Sequence, residues 1–92
     1  MYDYQLLPER LQGGVQRYIE DGIKPGDFLT AVITNNLKGT VYRADDDMIK
    51  VIPQIVFWFY NEAPYACWGS EDNMWKWIQT KDTEYKLRVE KI

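Results

Sequence analysis

Leu7, Leu11, Val15 and Tyr18 fall three or four residues apart, with Ile19 four after Val15. Only a helix gathers that spacing onto one face, so the chain opens on an amphipathic helix. Pro8 suits its first turn, where the missing N–H has no partner to lose. Gly13 and Gly14 weaken the helix, which means either a close approach to the backbone there or a kink. Gly22 is its stop, and Ile23-Lys24-Pro25-Gly26 is a turn, because proline fixes φ and disfavours helix just before it.

Asp27 is the expected N-cap of a second helix with a stripe of Phe28, Leu29, Val32, Ile33 and Leu37, ending near Ala44. The run Asp45-Asp46-Asp47 supplies the next cap. Met48 to Ala63 has the composition of a strand, but Ile49, Ile52, Val56, Phe59 and Ala63 keep helical spacing, and Pro53 is awkward in a central strand. The segment reads as a helix apolar on most sides, covered by its own chain and a partner. Pro64 ends it, and Ser70 caps a short helix through Met74, Trp75 and Ile78. Lys81 to Ile92 alternates apolar and charged residues, which reads as a short strand or an extended tail. The expected fold is all-α: one domain, residues 1–92, a compact bundle of three main helices plus a short C-terminal helix.

Composition narrows the function. Ninety-two residues leave no room for a second core. A net charge of −3 argues against general affinity for DNA or RNA, while leaving a local basic pocket open. A single Cys67 and no histidine exclude an internal disulfide and a Cys/His zinc site, in keeping with a reducing compartment. Asp3, Pro8, Glu9 and Arg10 interrupt any signal peptide, and the apolar run Ile55 to Tyr60 is far short of the roughly 20 residues a membrane span needs. The reading is a soluble protein used inside a cell, without affinity for membranes. Four Trp, seven Tyr and three Phe exceed what so small a core hides, so some rings belong to an interface or a pocket.

Catalytic chemistry is poorly supplied. Without histidine, acid–base work falls to carboxylates, Lys, Tyr or Cys, and no pattern specifies a site. Asp45 to Asp47 offers oxygen ligands for Mg²⁺ in a phosphodiesterase, but a solvated cap is the ordinary reading. Cys67 has no neighbouring base, and Gly13-Gly14 lacks the residues of a phosphate loop. Binding is better supplied. Lys24-Pro25-Gly26-Asp27 sets a cation beside the free N–H groups of a helix start, and Thr30, Thr34, Asn35, Asn36, Lys38 and Thr40 bring hydrogen-bonding groups. Arg17-Tyr18 and Tyr42-Arg43 each pair a cation with a ring, the elements that stack a base and neutralise a phosphate. Trp58, Trp68, Trp75 and Trp77 suit core or interface anchors.

The run from Gly14 to Val32, followed by Asn35-Asn36-Leu37, Arg43-Ala44-Asp45, Tyr60-Asn61-Glu62-Ala63-Pro64 and Ala66-Cys67-Trp68-Gly69-Ser70, resembles the phage anti-CBASS sponge family, with departures at Gly39-Thr40-Val41 and Pro53. That resemblance implies a phage protein in the host cytoplasm, a helical protomer assembling into a homohexamer, and no cofactor. It further implies cyclic dinucleotides held between protomers, cyclic trinucleotides in separate three-fold pockets, and no hydrolysis. Within the resembling region, Tyr18 or Tyr42 is the expected base-stacking ring, Lys24, Lys38 or Arg43 the phosphate contact, and Thr30, Asn35 and Asn36 the hydrogen-bonding set. The rival is a protein-interaction module that inhibits a host protein through the Trp-rich third and fourth helices.

Overall fold

The computed structural model describes residues 2–90, and every regular element among them is helical. Helix α1 spans Glu9–Asp21 from an N-cap at Pro8 to a C-cap at Gly22, whose φ of 69° is a conformation glycine adopts without penalty. Its stripe is buried as the spacing requires: Leu11, Val15, Tyr18 and Ile19 all face the core, joined by Leu7. The glycine pair neither interrupts α1 nor is demanded by lack of space. A methyl group at Gly14 would lie 3.4 Å from Leu29 of the next helix, while at Gly13 it would meet only the flexible end of Arg17.

The second helix is not continuous. α2 covers Asp27–Ile33 and α3 covers Leu37–Arg43, with Asp27 inside the first turn and Gly26 at the cap. Between them Asn35 takes a φ of 60°, and the Asn36 side chain accepts a hydrogen bond from the Gly39 N–H at 2.9 Å. Asparagine is the non-glycine residue that best tolerates a left-handed backbone, and it is also a strong N-cap, so the pair both breaks one helix and starts another. The two helices fold into a hairpin.

Helix α4, Asp46–Glu62, opens on the expected aspartate run, with the Asp45 carboxylate accepting from the Met48 N–H at 2.8 Å. Pro53 lies inside it on the exposed side, where the rung it removes faces water. The buried face is Met48, Ile55, Trp58 and Phe59, rotated from the expected set, so Ile49 and Val56 are partly exposed together with Phe57 and Tyr60. Phe59 has no exposed surface and sits edge-on to Trp58 at 5.3 Å and tilted against Trp68 at 5.5 Å.

The largest correction lies at the C-terminus. Instead of a short helix and an extended tail, α5 runs through Glu71–Glu90 as the longest helix, capped by the Ser70 hydroxyl on the Asn73 N–H. Neither glycine nor proline occurs after Gly69, and Asp72–Lys76 and Asp82–Lys86 form i,i+4 pairs at 2.9 and 3.2 Å. Such pairs stabilise a helix by a few tenths of a kcal/mol each, which outweighs a weak two-residue alternation. Residues 91 and 92 lie outside the described residues. α5 packs against α1 at Gly22, where the space for a side chain is taken by Lys81. No helix among the described residues is long and apolar enough to cross a membrane.

Candidate ligand surface on the α2–α3 hairpin

Of the residues singled out by sequence, Tyr18 is removed from the surface. It is fully buried, and its hydroxyl donates to the Cys67 carbonyl at 2.6 Å, so it cannot stack a base. Burial also raises its pKa, keeping the hydroxyl protonated as a donor. Tyr18→Phe keeps the ring but strips the carbonyl of this donor. The expected cost is about 1–3 kcal/mol of stability, read from urea unfolding. A cost within error of zero would place the hydroxyl outside the core network.

The hairpin consumes several of the other polar groups. The Thr30 hydroxyl donates to the Pro25 carbonyl at 3.1 Å, Thr34 to the Thr30 carbonyl at 2.7 Å, and buried Thr40 to the Asn36 carbonyl at 2.8 Å. Their density reflects two closely spaced helix ends whose backbone groups need partners. Asn36 is spent as a cap, its side-chain oxygen already occupied.

What remains exposed is a smaller set: Lys24 in the turn before α2, Asn35 at the hairpin tip, and Lys38, Tyr42 and Arg43 on α3. Lys38 and Tyr42 are four residues apart and so share a face of α3, and Tyr42 is 85% exposed, a large ring with almost no cover from its own chain. The antiparallel hairpin brings the end of α3 back to the start of α2. The Arg43 guanidinium stands 3.6 Å from the Asp27 carboxylate, three residues after Lys24. Between Lys24 and Arg43 the sequence holds three cations against one acid, in a chain whose net charge is −3. The hairpin thus carries a net charge of +2 between Lys24 and Arg43, with the exposed Asp45 to Asp47 run directly after it, and bears an exposed aromatic ring.

Elsewhere the candidates resolve into structure. Asp45 holds Arg10 at 2.9 Å as well as the Met48 N–H, and these two contacts keep its carboxyl below the usual range. No three His, Cys, Asp or Glu side chains gather as a metal-ligand group among the described residues. Burial pushes the Cys67 thiol up to about 12, which leaves little thiolate at neutral pH. Trp58 donates to the Asp3 carbonyl at 2.8 Å, Trp77 to those of Tyr18 and Ile19 at 3.2 Å, and Trp68 packs on Phe59, so only Trp75 offers a substantially exposed indole. A broad groove of about 630 Å³ between the end of α1 and α5 is lined by charges of both signs, among them the Lys81–Glu84 ion pair, with Glu20, Asp21 and Asp82 adding negative charge. Sequence reasoning passed over the N-terminal segment, where Tyr2 and Tyr4 face the polar side of α1. The available signal was the spacing of Gln12, Gln16 and Glu20, four residues apart on one face.

No protein-family profile, curated protein or solved structure matches the chain.

Proposed function

We propose that this protein is a non-catalytic sponge: it binds cyclic di- and trinucleotide messengers of bacterial CBASS immunity on the α2–α3 hairpin and withholds them from the immune effector. The observation that carries the reading is the meeting of the two hairpin ends at Asp27 and Arg43, with exposed Lys24 three residues before Asp27 and exposed Lys38 and Tyr42 on the same helix as Arg43. Tyr42 stacks a base, the cations meet phosphates, and Asn35 hydrogen-bonds to a base edge or ribose. Phage origin and action in the host cytoplasm follow from the family likeness.

A cyclic dinucleotide carries two bases and two phosphates, whereas one hairpin presents one free ring. Two protomers are needed to engage both halves, so binding and self-association go together, with a homohexamer as the expected assembly. Exposed Leu37 and Val41 on α3, and Val56, Phe57 and Tyr60 on α4, supply apolar surface for such contacts. The same apolar row favours a second reading, a module that docks on a host protein. In that case the contact runs through these α3 and α4 side chains rather than through tryptophans.

Calorimetric titration with cyclic di- and trinucleotides separates the two. Replacing Lys24 and Lys38 together by alanine weakens nucleotide binding by about a hundredfold or more, since each charge-assisted contact is worth about 1.5–3 kcal/mol. Docking to a protein through the apolar row survives the same change. Ligand released by heating is recovered uncleaved. An absence of binding to every cyclic nucleotide at micromolar concentration ends the proposal.

A further inference from the structure

We infer a second binding site, for a guanidinium group, in the recess of about 430 Å³ lined by Tyr2, Tyr4, Gln16 and Glu20. It lies between the N-terminal segment and the polar face of α1, and goes beyond the nucleotide reading, whose hairpin contributes none of these residues.

Two of its walls are aromatic. The Tyr2 and Tyr4 rings stand 6.3 Å apart at 71°, nearly a right-angled corner. That corner is braced from behind: Tyr4 stacks on Trp58 at 5.6 Å, and the Trp58 indole N–H holds the Asp3 carbonyl between the two tyrosines. Gln54 and Gln12 pin the same segment by donating to the Leu6 and Leu7 carbonyls at 2.8 and 2.9 Å. Walls held this firmly lose little entropy when a ligand arrives.

The polar lining has little cover from the rest of the chain. Among the described residues Glu20 forms no ion pair, Gln16 makes no side-chain hydrogen bond, and the buried Tyr4 hydroxyl lies beside the Glu20 carboxylate. Burial first, and the nearby Glu20 carboxylate second, raise the Tyr4 pKa, so the site keeps a neutral phenol and a single negative charge. An acid beside two tyrosine rings repels phosphate and attracts a cation. A guanidinium fits best, because it is flat enough to lie on a tyrosine face while its forked N–H groups meet a carboxylate. The same group can come from an arginine side chain of a protein partner or from a small free guanidine.

The test is NMR titration of the full chain, following the Gln16 side-chain amide and the Trp58 indole N–H. N-acetyl-arginine amide produces saturable shifts in the millimolar range, while its neutral isostere N-acetyl-citrulline amide binds at least about tenfold more weakly. Glu20→Gln, an exposed position where the change is expected to leave the thermal midpoint unaltered, abolishes that preference, and Tyr2→Leu weakens both probes. Agmatine binding as well as acetyl-Gly-Arg-Gly-amide identifies a free guanidine as sufficient, and a tighter peptide identifies a protein partner. Absence of saturable shifts, equal binding of citrulline, or an unchanged preference in folded Glu20→Gln overturns the inference.

Discussion

Phe59→Ala destabilises the protein by about 3–5 kcal/mol, a large share of what so small a domain has. Phe59 has no solvent-exposed surface, and its ring is clamped between the edges and faces of Trp58 and Trp68. Deleting it removes apolar area and leaves a void that the two flanking indoles, one of them tethered to the N-terminal segment, cannot close. Trp58 is fixed to the N-terminal segment through its indole N–H, so the effect spreads to the Tyr4 stack. Phe59→Leu, which conserves most of the volume, costs less than about 1.5 kcal/mol. Urea unfolding followed by tryptophan fluorescence measures both. Equal losses for alanine and leucine contradict the packing account.

Gly22→Ala is the second large effect, expected at about 2 kcal/mol or more. Two independent penalties act at once. The φ of 69° forces the new side chain into a left-handed backbone, and its methyl carbon lands 2.5 Å from the Lys81 Cβ. That neighbour is attached directly to the α5 backbone and cannot swing away, so α1 and α5 must part. Lys81→Ala therefore gives no relief, because alanine keeps the offending carbon, whereas Lys81→Gly in the Gly22→Ala background recovers part of the loss. Thermal unfolding of Gly22→Ala and of its combinations with Lys81→Ala and Lys81→Gly, beside the parent, decides it. A Gly22→Ala change within about 0.5 kcal/mol of the parent shows that the helices adjust freely.

These predictions separate what neighbouring residues specify from what distant ones impose. Helix ends were legible because their signals act within one turn: Pro8 and Gly22 bound α1, Asp45 opens α4, and Ser70 opens α5, each through a backbone group a few residues away. The all-helical fold was legible for the same reason, since helical spacing in Met48 to Ala63 outweighed its strand-like composition. The break at Asn35-Asn36 was local too. It was missed because asparagine on a helix surface is unremarkable until its backbone is seen at positive φ. The second half of the C-terminal helix was missed because its apolar residues form no stripe, and its support comes from side-chain ion pairs and a lack of breakers.

The candidate surface was only half legible. That cations, asparagines and rings cluster between Lys24 and Arg43 is a property of the sequence. Which of them stand exposed and unspent is not. Tyr18 and Tyr42 look equivalent as Arg-Tyr and Tyr-Arg pairs, yet one closes the core on the Cys67 carbonyl, 49 positions away, and the other stands in solvent. Likewise Tyr2 and Tyr4 become a braced corner only through Trp58 on α4. The chain by itself determined where helices start and stop, because capping and periodicity are short-range effects of a few bonds. Tertiary structure alone decided which rings face water, because burial depends on which distant segment arrives to cover them.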